Sequence, residues 1–134
     1  MKLTWLGRYN DLGLLVVRTG LGGCFVLHGY PKLAGGSALW AKIGSAMGAL
    51  GVDAGHTLWG LAAALTEAGG GVLLLLGFYF RPAALLLAAT MLVALNMHVT
   101  RGDAFAMYSH ALELVFVFGG LLFVGPGRFS VDGA

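Results

Sequence analysis

Charge is what this sequence has least of. Asp, Glu, Lys and Arg together make 10% of its 134 residues, against an apolar fraction of 58%. Soluble domains run nearer a quarter charged and half apolar, so the implied solvent is lipid. The net charge is only +2, and no basic run or ladder of stacking aromatics is present, which excludes a nucleic-acid surface. Cysteine is nearly missing. Cys24 stands alone, which excludes an internal disulfide, a Cys-x-x-Cys redox pair and a zinc knuckle. Leu21-Gly22-Gly23-Cys24 looks like a lipoprotein cleavage box, but Arg18 interrupts the apolar core that a signal peptide needs. Glycine, by contrast, is abundant at 23 residues. It is scattered through apolar segments, as helices that approach closely in a membrane require, rather than gathered into polar linkers. A chain of this length is one domain, 1–134.

A membrane-crossing helix needs about 20 mostly apolar residues. Four segments meet that need: Leu12 to Leu33, Thr57 to Tyr79, Pro82 to Thr100, and Ala106 to Val124. Pro82 opens the third, and Gly125-Pro126-Gly127 stops the fourth. Backbone polar groups cannot go unpaired in hydrocarbon, so the fold class is an all-α membrane protein, a four-transmembrane-helix bundle. Between spans one and two, Trp40, Ile43, Met47 and Leu50 line one helical face. This short amphipathic helix lies on the membrane surface or caps the bundle; the spacing fits both. Phe80-Arg81 and Arg101-Gly102-Asp103 read as the short links between later spans, which makes neighbours antiparallel. Lys2, Arg8, Arg81 and Arg128 then fall on the side of the termini, and Lys32, Lys42 and Arg101 on the distal side. That balance favours cytoplasmic termini. Gly60, Ala64 and Ala68 form a small-residue stripe that reads as helix packing.

Charged groups at mid-bilayer depth cost roughly 3 kcal/mol each on insertion scales. This chain nevertheless keeps Arg18 in span one, Glu67 in span two and Glu113 in span four, with His28, Asn96, His98 and His110. Counted from helix ends, the three histidines and Glu113 share the distal half, Glu67 lies just beneath, and Arg18 is deeper but within reach of Glu67. His110 and Glu113, three apart, share a face. The cluster reads either as a proton-transfer and ligand site or as charges that neutralise one another and fix helix register. Glu67, His110 and Glu113 are the candidates for proton transfer, and Arg18, His28, Asn96 and His98 for ligand binding. Lys32 reads as snorkelling to headgroups, while Pro31 should end or kink span one beside His28. No metal is expected. Di-iron bundles favour a repeated Glu-x-x-His, and here a reversed His110-x-x-Glu113 occurs once.

At this point a family resemblance enters. Arg18 to Leu33, ending in His-Gly-Tyr-Pro-Lys-Leu, resembles the first span of the DoxX family of bacterial membrane proteins. Thr66-Glu67-Ala68-Gly69-Gly70, with Leu73 to Gly77 and Arg81, is similar to that family's second-span signature, and Gly125 to Asp132 resembles its C-terminal one. The resemblance implies the bacterial inner membrane and a link to quinone or thiol redox and stress metabolism, as an oxidoreductase or a subunit of one. It places Arg18, His28 and Glu67 on recurring polar positions. The function expected is binding of a quinone or similar apolar redox molecule in a polar-lined cavity, with no intrinsic cofactor. Electrons would come from a redox partner protein or the substrate, and homo-oligomers are compatible with it. The alternatives are a non-catalytic scaffold subunit of a membrane redox complex and a small-solute transporter.

Overall fold

The structure, a computed structural model, describes residues 2–133. A 3-10 turn over Thr4–Tyr9 leads into α1 (Asn10–Ala34). Next come α2 (Ser37–Gly44), a second 3-10 turn (Ser45–Leu50), α3 (His56–Leu76), α4 (Phe80–Thr100) and α5 (Phe105–Val124). The chain is all-helical, and α1, α3, α4 and α5 are long and apolar enough to cross a membrane. Short links make successive long helices antiparallel. In the bundle α1 packs on α3, α3 on α4 and α4 on α5, and the Phe25 ring meeting Phe118 closes the ring between α1 and α5.

The boundaries follow local chemistry. Span two ends at Leu76, three residues before its sequence reading, because Gly77 turns left-handed at φ +63°. The N–H of Gly77 then reaches the Leu74 carbonyl, and that of Phe78 the Leu73 carbonyl. This is the glycine-dependent closure that satisfies orphan carbonyls at a helix end. The link is therefore 77–79, and Phe80 and Arg81 form the first turn of α4. A second correction concerns Pro31, which lies inside α1 and does not end it. One lost hydrogen bond in the last turn is tolerated, and the freed end is tied down when Trp40 Nε1 donates to the Lys32 carbonyl at 2.9 Å.

Glycines set the tightest contact. A Cβ on Gly22 would come within 2.6 Å of the Gly71 carbonyl oxygen, and one on Gly29 would strike the backbone of Ala68. The small-residue stripe of α3 thus packs: Gly60 receives the backbone of Trp40 in α2, and Ala68 receives Gly29 in α1. The Trp40–Leu50 segment caps the bundle on its distal side, against α3 and α4.

The core is one-sided. Phe25, Leu74, Phe80, Leu87, Phe118 and Leu121 fill the half nearest the termini. On α4 every buried residue lies between Phe80 and Met91. Beyond that point, towards the distal side, α4 contributes no buried residue.

The tail, 125–133, folds back over the terminal side. The amides of Val131 and Asp132 donate to the carbonyls of Leu76 and Gly77. The Asp132 carboxylate accepts from Tyr79 N–H at 3.0 Å and Phe80 N–H at 2.7 Å, capping α4 from more than fifty residues away. Asp132→Ala should therefore cost about 1–2 kcal/mol, as loss of a helix cap does. Asp132→Asn should recover most of it. Unfolding by SDS in mixed micelles, followed by tryptophan fluorescence, measures both.

Candidate functional site

Gly29 against Ala68 fixes the register of α1 on α3. Lys32 lies three residues beyond Gly29 and Glu67 one residue before Ala68, so both step towards the distal side and differ in depth by only about 3 Å. Side chains also lean towards the N-terminus of their own helix. On antiparallel helices that sends Lys32 inward and Glu67 outward, and the two meet. Lys32 Nζ donates to both carboxylate oxygens, at 3.0 and 2.8 Å. Glu67 is 7% exposed and Lys32 36%, so the pair spans from the packed interior to an open space.

That space is a cavity of about 590 Å³ between the cap, α3 and α4. Its walls are mainly Leu, Ile, Ala, Met and Trp side chains; besides the Lys32–Glu67 pair, Thr66, Thr90, Lys42 and Arg101 add polar groups along its length. Along α4 it extends from Leu86 to Arg101, about 22 Å at the helical rise. A second, apolar depression lies in the same α3–α4 groove and shares Thr66 and Leu86 with it. Leu86 and Ala89 are exposed, so the rim reaches the surface that faces lipid.

Of the seven residues singled out in the sequence, Glu67 alone lines this cavity. Arg18 does not meet it. From α1, Arg18 leans towards the terminal side, where Nη1 donates to the Pro126 carbonyl at 3.2 Å and Nη2 to the Phe129 carbonyl at 2.7 Å. It is 2% exposed, and its Nε has no partner among the described residues. Arg18 therefore holds the tail, and Lys32, read as snorkelling, is the cation that Glu67 uses.

His28 and His110 do approach each other, with ring centroids 6.4 Å apart, across the seam between α1 and α5. Both are exposed there, as is Glu113. They flank the opposite side of the ring from the cavity. His98 is taken up locally: its Nδ1 lies 2.7 Å from the Asp103 carboxylate, closing the α4–α5 link. Asn96 buries its Nδ2 without a partner among the described residues. Among those residues no group of three or more His, Cys, Asp or Glu side chains is placed to hold a metal ion.

Sequence reasoning missed Lys32 as the partner of Glu67, and Thr66, Thr90 and Arg101 as residues of the same cavity. The glycine and alanine pairing of α1 with α3 was the available signal, because it sets the depth at which Lys32 and Glu67 coincide.

Neither the curated proteins nor the solved structures yield a match to the chain. The family profile described as DoxX matches residues 13–100, which takes in most of α1, the cap, α3 and α4, with every residue lining the cavity except Arg101. That match covers well over half of the sequence, and the chain belongs to the DoxX family.

Proposed function

We propose that this membrane protein binds a quinone or similar apolar redox molecule in the cavity between the cap, α3 and α4. The observation that carries the reading is the cavity's shape and polarity: an elongated, apolar groove open towards lipid, with an ion pair whose carboxylate is buried and two threonine hydroxyls among its lining groups. Small-molecule sites are typically apolar clefts of roughly 300–1,000 Å³ with a few convergent polar groups. A quinone head needs donors to its carbonyls and a proton source on reduction. Lys32 Nζ and the Thr66 hydroxyl supply donors, and Glu67 passes protons. The apolar tail of the quinone lies along the α3–α4 groove into the second depression. Electrons come from a redox partner protein, so the chain works as an oxidoreductase subunit in membrane-linked redox or stress metabolism. The setting is a bacterial inner membrane with cytoplasmic termini.

Trp59 lines the cavity, and Trp40 is bonded to the Lys32 carbonyl, so tryptophan quenching by a short-chain quinone in nanodiscs reads binding directly. Saturable quenching is expected. Ala63→Phe, which fills the cavity, should abolish it, and Glu67→Gln should weaken it by about tenfold, as loss of one charge-assisted hydrogen bond does. His110→Ala, on the far seam, should leave it unchanged. Identical, unsaturable curves in all four proteins would sink the quinone reading. The Lys32–Glu67 pair would then be a scaffold's tie between α1 and α3.

A further inference from the structure

The outer face of the α1–α5 seam carries groups that the cavity does not use and that lipid cannot satisfy. Glu113 is eight residues into α5, about 12 Å from its distal end and so close to the middle of a roughly 30 Å hydrocarbon core. It is exposed, and among the described residues the ion pairs are made by other groups, Lys32 with Glu67 and His98 with Asp103. His28 and His110, exposed beside the same seam, lie about 8–9 Å from the distal ends of their helices, within a turn of Glu113 in depth. Hydrocarbon offers these groups no hydrogen-bond partner, and intramembrane ionisable side chains face protein or water rather than acyl chains.

Glycines continue the same face towards the termini. On α1, Gly13, Val17, Gly20, Cys24 and His28 follow one another at spacings of three and four and share a stripe. On α5, Glu113, Val117 and Gly120 do the same. Gly22, Gly29, Gly60 and Gly71 each face another backbone inside the bundle, whereas a Cβ on Gly13, Gly20 or Gly120 would meet nothing within 4 Å among the described residues. A glycine inside a helix weakens it unless close approach requires it, and small residues are what let membrane helices come together.

We propose that a second copy of this chain covers this face. Two copies related by an axis along the bilayer normal keep every residue at its own depth, and the contacts are made twice. Glu113 of each copy then finds the imidazoles of the other within a turn of its own depth, while Gly20 and Gly120 admit close helix approach below. The face already holds both the acid and the basic groups, so it complements itself. The cavity, between α3 and α4, stays open on the opposite side, and the pairing does not rest on the quinone reading.

The test is subunit counting by single-molecule photobleaching of the full chain in lipid vesicles over a range of protein-to-lipid ratios. Wild type should be dimeric. Gly20→Leu and Gly120→Leu should be monomeric with unchanged helical circular dichroism, since a Cβ at either position meets nothing within 4 Å among the described residues. Glu113→Leu should raise the dissociation constant by about tenfold or more, the scale of interhelical hydrogen bonds. Gly69→Leu, in the α3–α4 groove, should leave the dimer intact. A bismaleimide at Cys24, the sole thiol, should trap the wild-type pair and fail in Gly20→Leu. A wild type that stays monomeric at every ratio, or a dimer that survives all three seam substitutions, overturns the proposal.

Discussion

Lys32→Met is expected to destabilise the bundle by about 3 kcal/mol, whereas Glu67→Leu should cost about 1 kcal/mol or less. The two partners of one ion pair differ because their surroundings differ. Glu67 is buried among α1, α3 and the cavity wall, so removing Lys32 strands its carboxylate. Breaking a buried pair from one side is the expensive case, typically about 3–5 kcal/mol, and the low end applies because Lys32 itself is a third exposed. Lys32 freed of Glu67 can swing to the distal headgroups, a few ångströms from the end of α1, and keep its charge in water. The double substitution Lys32→Met/Glu67→Leu should therefore lie within about 1 kcal/mol of wild type, less than Lys32→Met alone. SDS titration in mixed micelles, with tryptophan fluorescence and a common slope for all four proteins, gives the cycle. Equal losses for the two single variants, adding up in the double, would mean that the contact between Lys32 and Glu67 contributes nothing.

Why this pair was hard to read in the sequence is a matter of reference points. The four spans were legible because lipid demands about 20 apolar residues whatever they pack against. The stop of the fourth at Gly125-Pro126-Gly127 was legible too, whereas the reading of the second ran past Gly77 to Tyr79, whose left-handed φ of 45° carries no residue signature. Depth was the weak step. Counting Glu67 from Thr57, the start of its span in the sequence, places it about 15 Å in, far below Lys32. But α3 protrudes past the end of α1, and the register is set by where Gly29 meets Ala68. The same offset, with the lean of side chains towards their own N-terminus, separates Arg18 from Glu67 and delivers Lys32 instead. The His98–Asp103 contact follows from a loop conformation in which Gly102 takes φ +76°, which a depth count does not address. The cavity was invisible for another reason. It exists because the Trp40–Leu50 cap is held over α3 and α4, and an amphipathic stretch reads the same lying on lipid or on protein.

Arg18→Leu is expected to undock the tail and cost about 3 kcal/mol, with Arg18→Lys recovering less than half. The guanidinium is 2% exposed and faces no carboxylate within salt-bridge distance among the described residues. Its charge is held by the carbonyls of Pro126 and Phe129, and it packs against Gly77, where an added Cβ would collide with it. Hydrogen bonds to a charged group contribute about 1.5–3 kcal/mol each, and Arg18 makes two, to carbonyls three residues apart. One ammonium cannot reproduce that fork, so lysine keeps the charge and loses the geometry. The consequence travels along the tail. Asp11 accepts the Arg128 N–H at 2.9 Å, and Val131 and Asp132 pair with the end of α3 and the start of α4. These contacts depend on a tail that Arg18 pins at its middle. Hydrogen exchange at the Val131 and Asp132 amides should therefore quicken by on the order of a hundredfold in Arg18→Leu, the equivalent of about 3 kcal/mol. Quinone quenching should stay as in wild type, because the cavity lies at the other end of the bundle. Unchanged protection of those two amides would show that Asp11 and Asp132 hold the tail without Arg18. Loss of quenching together with protection would show that the terminal clasp and the distal cavity are one cooperative unit rather than two.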